Sequence, residues 1–160
     1  MKTKQMVVIA IFASLSIVLS MIKVWQMANG GSISLYLVPL MFVAFKTDFK
    51  STLLCCTLTS IVQIILSGYV VGFFQVFLDY ILPVCAISLL SIVRNRNLFT
   101  ISITSMFVGI LMLSSYVISG MIYFKTPFIG SLIYNATFFI PTFLISIIII
   151  SILNKFDFKI

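Results

Sequence analysis

Apolar residues in this chain run in long blocks, broken by short polar clusters and dotted with Ser and Thr. Six blocks stand out: Met6–Val24, Ser32–Phe45, Ser51–Leu66, Val70–Val93, Phe99–Phe124 and Ile129–Leu153. A helix needs roughly 20 consecutive apolar residues to cross a bilayer core. The pattern predicts an all-α integral membrane protein, a bundle of six transmembrane helices forming a single domain over residues 1–160. The second block is the shortest and contains Pro39, so a tilted, kinked or partly re-entrant course is expected there. Pro83 and Pro141 fall inside the fourth and sixth blocks, where neighbouring helices can satisfy the carbonyls a proline leaves free. The punctuation is brief: Asn29-Gly30-Gly31, Lys46-Thr47-Asp48, Ser67-Gly68, Arg94-Asn95-Arg96-Asn97 and Thr126-Pro127. No internal repeat, heptad or low-complexity tail interrupts this organisation. Met1–Lys4 followed by an apolar run has the look of a secretory signal. That run is as long as a full span and ends without a small-x-small cleavage site, so a retained first helix is expected.

Composition agrees. Hydrophobic residues make up 62% of 160 and charged residues only 8%, against roughly 25% charge in a soluble domain. The net charge of +7 is no sign of nucleic-acid binding, because the basic residues sit in short loops where topology accounts for them. With both termini in the cytoplasm, Lys2, Lys4, Lys46, Lys50, Arg94, Arg96, Lys155 and Lys159 lie inside, and only Lys23 and Lys125 outside. The positive-inside rule favours that orientation strongly. Cys55, Cys56 and Cys85 all lie in apolar blocks without metal-ligand spacing, and the chain has no His. Small buried thiols and no metal site are expected.

One charge is out of place. Asp79 lies in the middle of the fourth block, in a chain without Glu. A central acid costs about 2.5–3.5 kcal/mol on insertion scales, so it usually faces a cavity or a partner. In the expected orientation it lies roughly 13 Å below the outer end of its helix, at 1.5 Å per residue. Gln75 shares its helix face one turn earlier, and Tyr80 is rotated by about 100°. A carboxylate among aromatic faces suits a cationic ligand. The plainer use of the same carboxylate is an interhelical hydrogen bond, or an ion pair with Lys23 or Lys125. Asn135, with Ser131 and Tyr134, offers amide donor and acceptor for a heteroaromatic edge, or polar glue between helices. Tyr116 lies one to two turns deep. Trp25, Tyr69, Tyr123 and Phe124 lie near the outer boundary, where an interfacial aromatic belt is expected in any case. Ala10-x-x-x-Ser14 and Ser16-x-x-x-Ser20 allow close helix approach, internally or to another subunit. These polar and aromatic residues gather in the outer half and imply a pocket open to the outside.

No phosphate loop, nucleophile elbow or H-E-x-x-H motif is present, so the chain is expected to be no enzyme and to hold no cofactor. It is also short for a transporter built of paired inverted repeats. Three uses of Asp79 remain open on residues alone: ligand capture, a proton or cation relay in a self-sufficient transporter or channel, and a purely structural tie.

Gly31-Ser-Ile-Ser-Leu-x-x-Val-Pro39, Gly68-Tyr69, Gln75-Val-Phe-Leu-Asp79-Tyr80, Ser119-Gly120 and Tyr134-Asn135 with Pro141 together resemble the substrate-binding (S) component of energy-coupling factor transporters. The thiamine-specific group is the most similar. The resemblance implies a high-affinity capture subunit for thiamine or a related cationic vitamin. Its partners would be a transmembrane coupling subunit and two cytoplasmic ATPases that use ATP. It implies that Asp79 stands where the family usually has Glu, opposite the thiazolium charge. Tyr80 and Tyr69 match aromatic ligand contacts, Asn135 matches the amide that reads the pyrimidine, Trp25–Gly31 matches a mobile lid, and Ala10 and Ser14 match a docking stripe. Gln75, Tyr116, Phe124 and Trp25 complete the expected substrate site. The chain departs from the family at Tyr116, commonly His, near Phe124, commonly Trp, and near Thr59 or Gln63, where a third-helix Trp is replaced. Asp is also one methylene shorter than Glu, so weaker affinity or a related ligand is expected.

Overall fold

The computed structural model describes residues 3–27, 30–67, 70–93 and 97–154. Its elements are α1 (Thr3–Met21), a hairpin of β1 (Trp25–Gln26) and β2 (Ser32–Ile33), α2 (Leu37–Lys46), α3 (Phe49–Ser67), α4 (Phe73–Ile92), α5 (Leu98–Tyr123) and α6 (Phe128–Leu153). Within the described residues, α1, α3, α4, α5 and α6 are long and apolar enough to cross a membrane. The remaining helix, α2, has ten residues, or about 15 Å at 1.5 Å per residue, half of a bilayer core of about 30 Å. Lys2, Gly68, Tyr69, Arg94, Arg96, Lys155 and Lys159 lie outside the described residues, as do Ala28 and Asn29 of the expected lid.

The second apolar block is not helical throughout. Ser32 and Ile33 pair antiparallel with Gln26 and Trp25, and the Val24 and Met27 amides donate to the Ile33 and Gly31 carbonyls at 2.9 and 2.7 Å. The helix starts only at Leu37. Pro39 is its third residue, in the first turn, where amides have no intrahelical acceptor. No kink is needed there. Asp48 then starts α3: its carboxylate accepts from the Ser51 hydroxyl at 2.7 Å and the Ser51 amide at 3.2 Å.

The interior has an unusual composition. The buried stripe of α5 includes Ile101, Ser105, Val108, Met112, Ser115 and Ser119, and that of α6 includes Ser131, Asn135, Phe139, Thr142, Ser146 and Ile150. Spacings of three and four residues place each set on one helix face. The outward faces are almost wholly apolar, with Ile103, Phe107, Ile110, Ile133, Ile140 and Ile148 exposed. Water would penalise such a surface; lipid does not. Short α2 is the most enclosed helix, with seven of its ten residues buried, and it packs against α1, α3, α6 and the end of α4. On α1 only Ile9, Ala13 and Ser16 are buried. Ser16 therefore faces inward, whereas Ala10 and Ser14 are exposed.

Candidate functional site

The site begins with an irregular turn in α4. Residues 73–76 are α-helical, Phe77–Ile81 form a π-turn, Leu82–Ala86 return to α, and Ile87–Ile92 tighten into a 3₁₀ helix. Pro83 supplies the cause. It has no N–H, and its ring crowds the carbonyl four residues earlier, that of Asp79. The chain widens instead, and the Leu82 amide donates to the Phe77 carbonyl five residues back. In that register the Leu78 carbonyl would look to residue 83 and find proline. Ser115 of α5 fills the gap, donating its hydroxyl to the Leu78 carbonyl at 2.6 Å. Ser60 of α3 likewise donates to the Tyr80 carbonyl at 3.1 Å. A π-turn of this sort is a frequent mark of a functional site, and here two flanking serines hold it open around Asp79.

Asp79 is half-buried, and Gln75, one turn earlier on the same helix, is buried. The Gln75 Nε2 donates to Asp79 Oδ2 at 2.7 Å. The Gln75 Oε1 accepts the Val71 amide at 3.2 Å. Both ends of this amide are thus engaged inside the protein, and its orientation is set by them. Ser119 of α5 lies beside the same carboxylate. Its hydroxyl is fully buried and completes no hydrogen bond of good geometry. Asp79 is six residue steps beyond Phe73, so the carboxylate sits about 9 Å along α4 from its start.

The second half of the site lies on α5 and α6. Asn135 Nδ2 donates to the Ser131 carbonyl at 2.9 Å, the Tyr116 carbonyl at 3.3 Å and the Ser131 hydroxyl at 3.3 Å. All three neighbours offer oxygen, so the nitrogen must be on that side. Its donor capacity is consumed inside the protein, and Oδ1 is the end left to recognise a ligand. The Ser131 hydroxyl in turn donates to the Val117 carbonyl at 2.9 Å. Gly120 makes room for this cluster: a methyl there would meet the Ser131 hydroxyl and sit 3.5 Å from Asn135 Nδ2.

An aromatic wall connects the two halves. Tyr116 is buried, within electrostatic reach of Asp79 and Tyr80, and its ring meets Phe139 and Phe138 at centroid distances of 5.6 and 6.2 Å. Its hydroxyl lies 3.3 Å from that of Tyr36. Tyr134 packs edge-on to Phe138 at 5.9 Å, and its hydroxyl accepts the Gly31 amide at 3.2 Å. The β1–β2 hairpin thereby rests on α6, and it does so closely: a Cβ on Gly31 would lie 2.5 Å from the Phe138 ring.

Asp79 and Gln75 are in direct contact, Tyr80 follows on the same helix, Tyr116 lies within electrostatic reach of Asp79 and Tyr80, and Asn135 bonds the Tyr116 carbonyl. Trp25 sits on the hairpin, 46% exposed, and Phe124 is exposed at the end of α5; Tyr69 falls outside the described residues. Sequence reasoning passed over Tyr36, Phe138 and Ser119 as site residues. Tyr36 and Phe138 carry no local signal, being aromatics in apolar runs. Ser119 was detectable as a hydroxyl at the depth of Asp79. The cysteines are free, with Cys55 and Cys56 buried and Cys85 half-buried. Among the described residues no group of three His, Cys, Asp or Glu side chains gathers to hold a metal.

Residues 6–160 match the family described as "Thiamine transporter protein". A curated relative, the thiamine transporter ThiT of Bacillus subtilis, is 29% identical over 171 aligned residues, covering 93% of this chain and 89% of that protein. The solved structure of ThiT from Listeria monocytogenes has the same fold. It superposes with a TM-score of 0.77 at 23% identity, covering 94% of this chain and 93% of that one.

Proposed function

The chain belongs to the thiamine transporter protein family, and on that premise we propose that it is the substrate-capture subunit of an ATP-driven vitamin importer of the energy-coupling factor kind, taking thiamine or a thiamine-related compound. It is a multi-pass protein of the bacterial cell membrane, and its relatives are named as transporters rather than enzymes. The observation that carries the ligand reading is Asp79. Its Oδ2 is held by Gln75, Ser119 lies beside the carboxylate, and Tyr116 is within electrostatic reach of it. A thiazolium ring is a permanent cation that cannot escape a desolvated site by losing a proton. Its attraction to a carboxylate about 4 Å away is about 4 kcal/mol at an effective dielectric constant near 20, enough to offset the cost of holding Asp79 in the membrane. Tyr116 and Tyr80 add aromatic faces, each worth about 0.5–2 kcal/mol to a cation. Asn135 Oδ1 accepts from the exocyclic amine of the aminopyrimidine. Gln75 serves by orienting Asp79, since both ends of its amide are engaged within the protein. Phe124 and Trp25 contribute to the outer part of the pocket, Trp25 from the hairpin that serves as its lid, and Tyr69 is carried over as a further aromatic contact from the family resemblance alone.

Six spans with both termini in the cytoplasm, in one domain over residues 1–160, fit the distribution of basic residues. The exposed Ala10 and Ser14 then form the face on which a transmembrane coupling subunit docks, and two partner ATPases supply the energy. Thiamine titration into detergent-purified protein tests the ligand, read by calorimetry, with Asp79→Asn in parallel. Saturable binding that Asp79→Asn weakens at least tenfold, or about 1.4 kcal/mol, is the expected result. A well-folded protein that ignores thiamine sinks the reading. Uptake into vesicles with and without the coupling subunit and ATPases tests the energy source, and uptake that needs neither overturns it.

A further inference from the structure

We infer that Tyr36 is the positioning residue of the ligand site, fixing the Tyr116 side chain through their paired hydroxyls; the inference deepens the capture function proposed above and rests on it. Tyr36 stands at a junction. It lies three residues after the end of β2 at Ile33, immediately precedes the first residue of α2, and has helical backbone angles of φ −61° and ψ −25°. Its own carbonyl accepts the Ser16 hydroxyl of α1 at 2.7 Å, and Ser16 is fully buried. The residue is thus pinned by its backbone to one helix while its side chain reaches across to another, 80 residues away in sequence.

Tyr116 needs such an anchor. Phe138 and Phe139 border its ring, but ring contacts leave the direction of the hydroxyl unspecified. The bond to Tyr36 supplies that direction. A pair of phenols holds two hydroxyl protons, and a single O–H···O bond between them uses one. In the arrangement in which Tyr36 donates, the Tyr116 proton stays available to a third acceptor, within electrostatic reach of Asp79 and Tyr80. The pair therefore presents the site with one neutral donor, placed by Tyr36 and carried by α2 and α5 together. A lone Tyr116 would present a hydroxyl free to turn. Tyr36 acts through Tyr116, and no contact between Tyr36 and the ligand is required.

A double-mutant cycle tests this. Thiamine affinity is measured by calorimetry for the wild-type chain, Tyr36→Phe, Tyr116→Phe and the double variant. Each keeps its ring and loses only a hydroxyl. Tyr36→Phe is expected to weaken binding by about two- to tenfold, the worth of one hydrogen bond. The same change in the Tyr116→Phe background is expected to do nothing further. Unchanged affinity for Tyr36→Phe, or losses that multiply in the double variant, overturn the proposal. A ligand-free arm uses protein labelled at the tyrosine ζ-carbons and follows the Tyr116 signal by NMR. Tyr36→Phe is expected to shift or broaden that signal, and an unmoved Tyr116 signal also overturns the proposal. If the wild-type chain binds no thiamine, the capture reading falls and the NMR arm decides Tyr36 alone.

Discussion

Gly120→Ala is a severe test of the site because two known effects oppose each other there. Gly120 lies within α5, three residues before its end at Tyr123, and replacing a helical Gly with Ala ordinarily stabilises by up to about 1 kcal/mol. Here the new Cβ would collide with the Ser131 hydroxyl and press the Ser131 Cβ at 3.2 Å. The hydroxyl must swing away. It then loses the Val117 carbonyl at 2.9 Å and ceases to accept from Asn135 at 3.3 Å. Two hydrogen bonds are worth about 0.5–1.5 kcal/mol each, and overpacking adds about 1–3 kcal/mol. The clash therefore wins, leaving a net loss of about 1–5 kcal/mol. Thermal unfolding in detergent should show an apparent Tm at least about 2 °C lower, since each kcal/mol moves Tm by about 2–4 °C in a chain of this size. Thiamine affinity should fall as well, because the displaced hydroxyl drags on the Asn135 amide. Adding Ser131→Ala removes the colliding oxygen but also both of its hydrogen bonds, so it should restore the overpacking share of the Tm and not the rest. A Gly120→Ala protein as stable as wild type, or one that Ser131→Ala fails to rescue, refutes the packing argument.

Other consequences are equally open to measurement. Ser115→Ala leaves the Leu78 carbonyl without its 2.6 Å donor, and a buried polar group left unsatisfied costs about 1–3 kcal/mol; a chemical-denaturation midpoint equal to wild type would show that the π-turn stands without it. Gln75→Leu frees the Asp79 carboxylate to turn and should weaken thiamine binding by about tenfold, with no added loss in an Asp79→Asn background; an additive loss would make Gln75 an independent contact. Asp48→Ala removes the cap of α3 and should cost about 0.5–2 kcal/mol. The Ser51 hydroxyl holds the Asp48 carboxyl below the usual carboxylate range. The capping stabilisation is therefore complete above the ordinary Asp pKa and is lost as the pH falls through the lowered folded value. Unfolding midpoints followed downward from pH 6 should drop in the wild-type chain more than in Asp48→Ala, and parallel curves would contradict that role.

Much of this protein is determined locally. Block length and hydropathy set the membrane class and the helices, because a bilayer accepts only segments that satisfy their own backbone and offer lipid an apolar face. The spacing of four between Gln75 and Asp79 was enough to foresee that they meet, since the helical period brings such residues together. The same rule explains why Ser131 and Asn135 pair. Other features depended on which helices face each other. The sequence shows Pro83, but only packing brings Ser115 and Ser60 to the carbonyls that a π-turn exposes. Ala10 and Ser14 look like Ser16 and Ser20 in spacing; burial alone places Ser16 inside and leaves the first pair on the surface. Asn135 offers donor and acceptor on paper, and the Tyr116 carbonyl, 19 residues away, helps to occupy the donor. Ser32 and Ile33 belong to a block apolar enough overall for a helix, yet their backbone groups found partners across a hairpin. Tyr36 and Tyr116 meet over 80 residues. Helical periodicity is a property of a few neighbouring residues, so the chain displays it directly. Contacts between helices depend on rotation and depth chosen jointly by all of them, and those were decided only when the bundle closed.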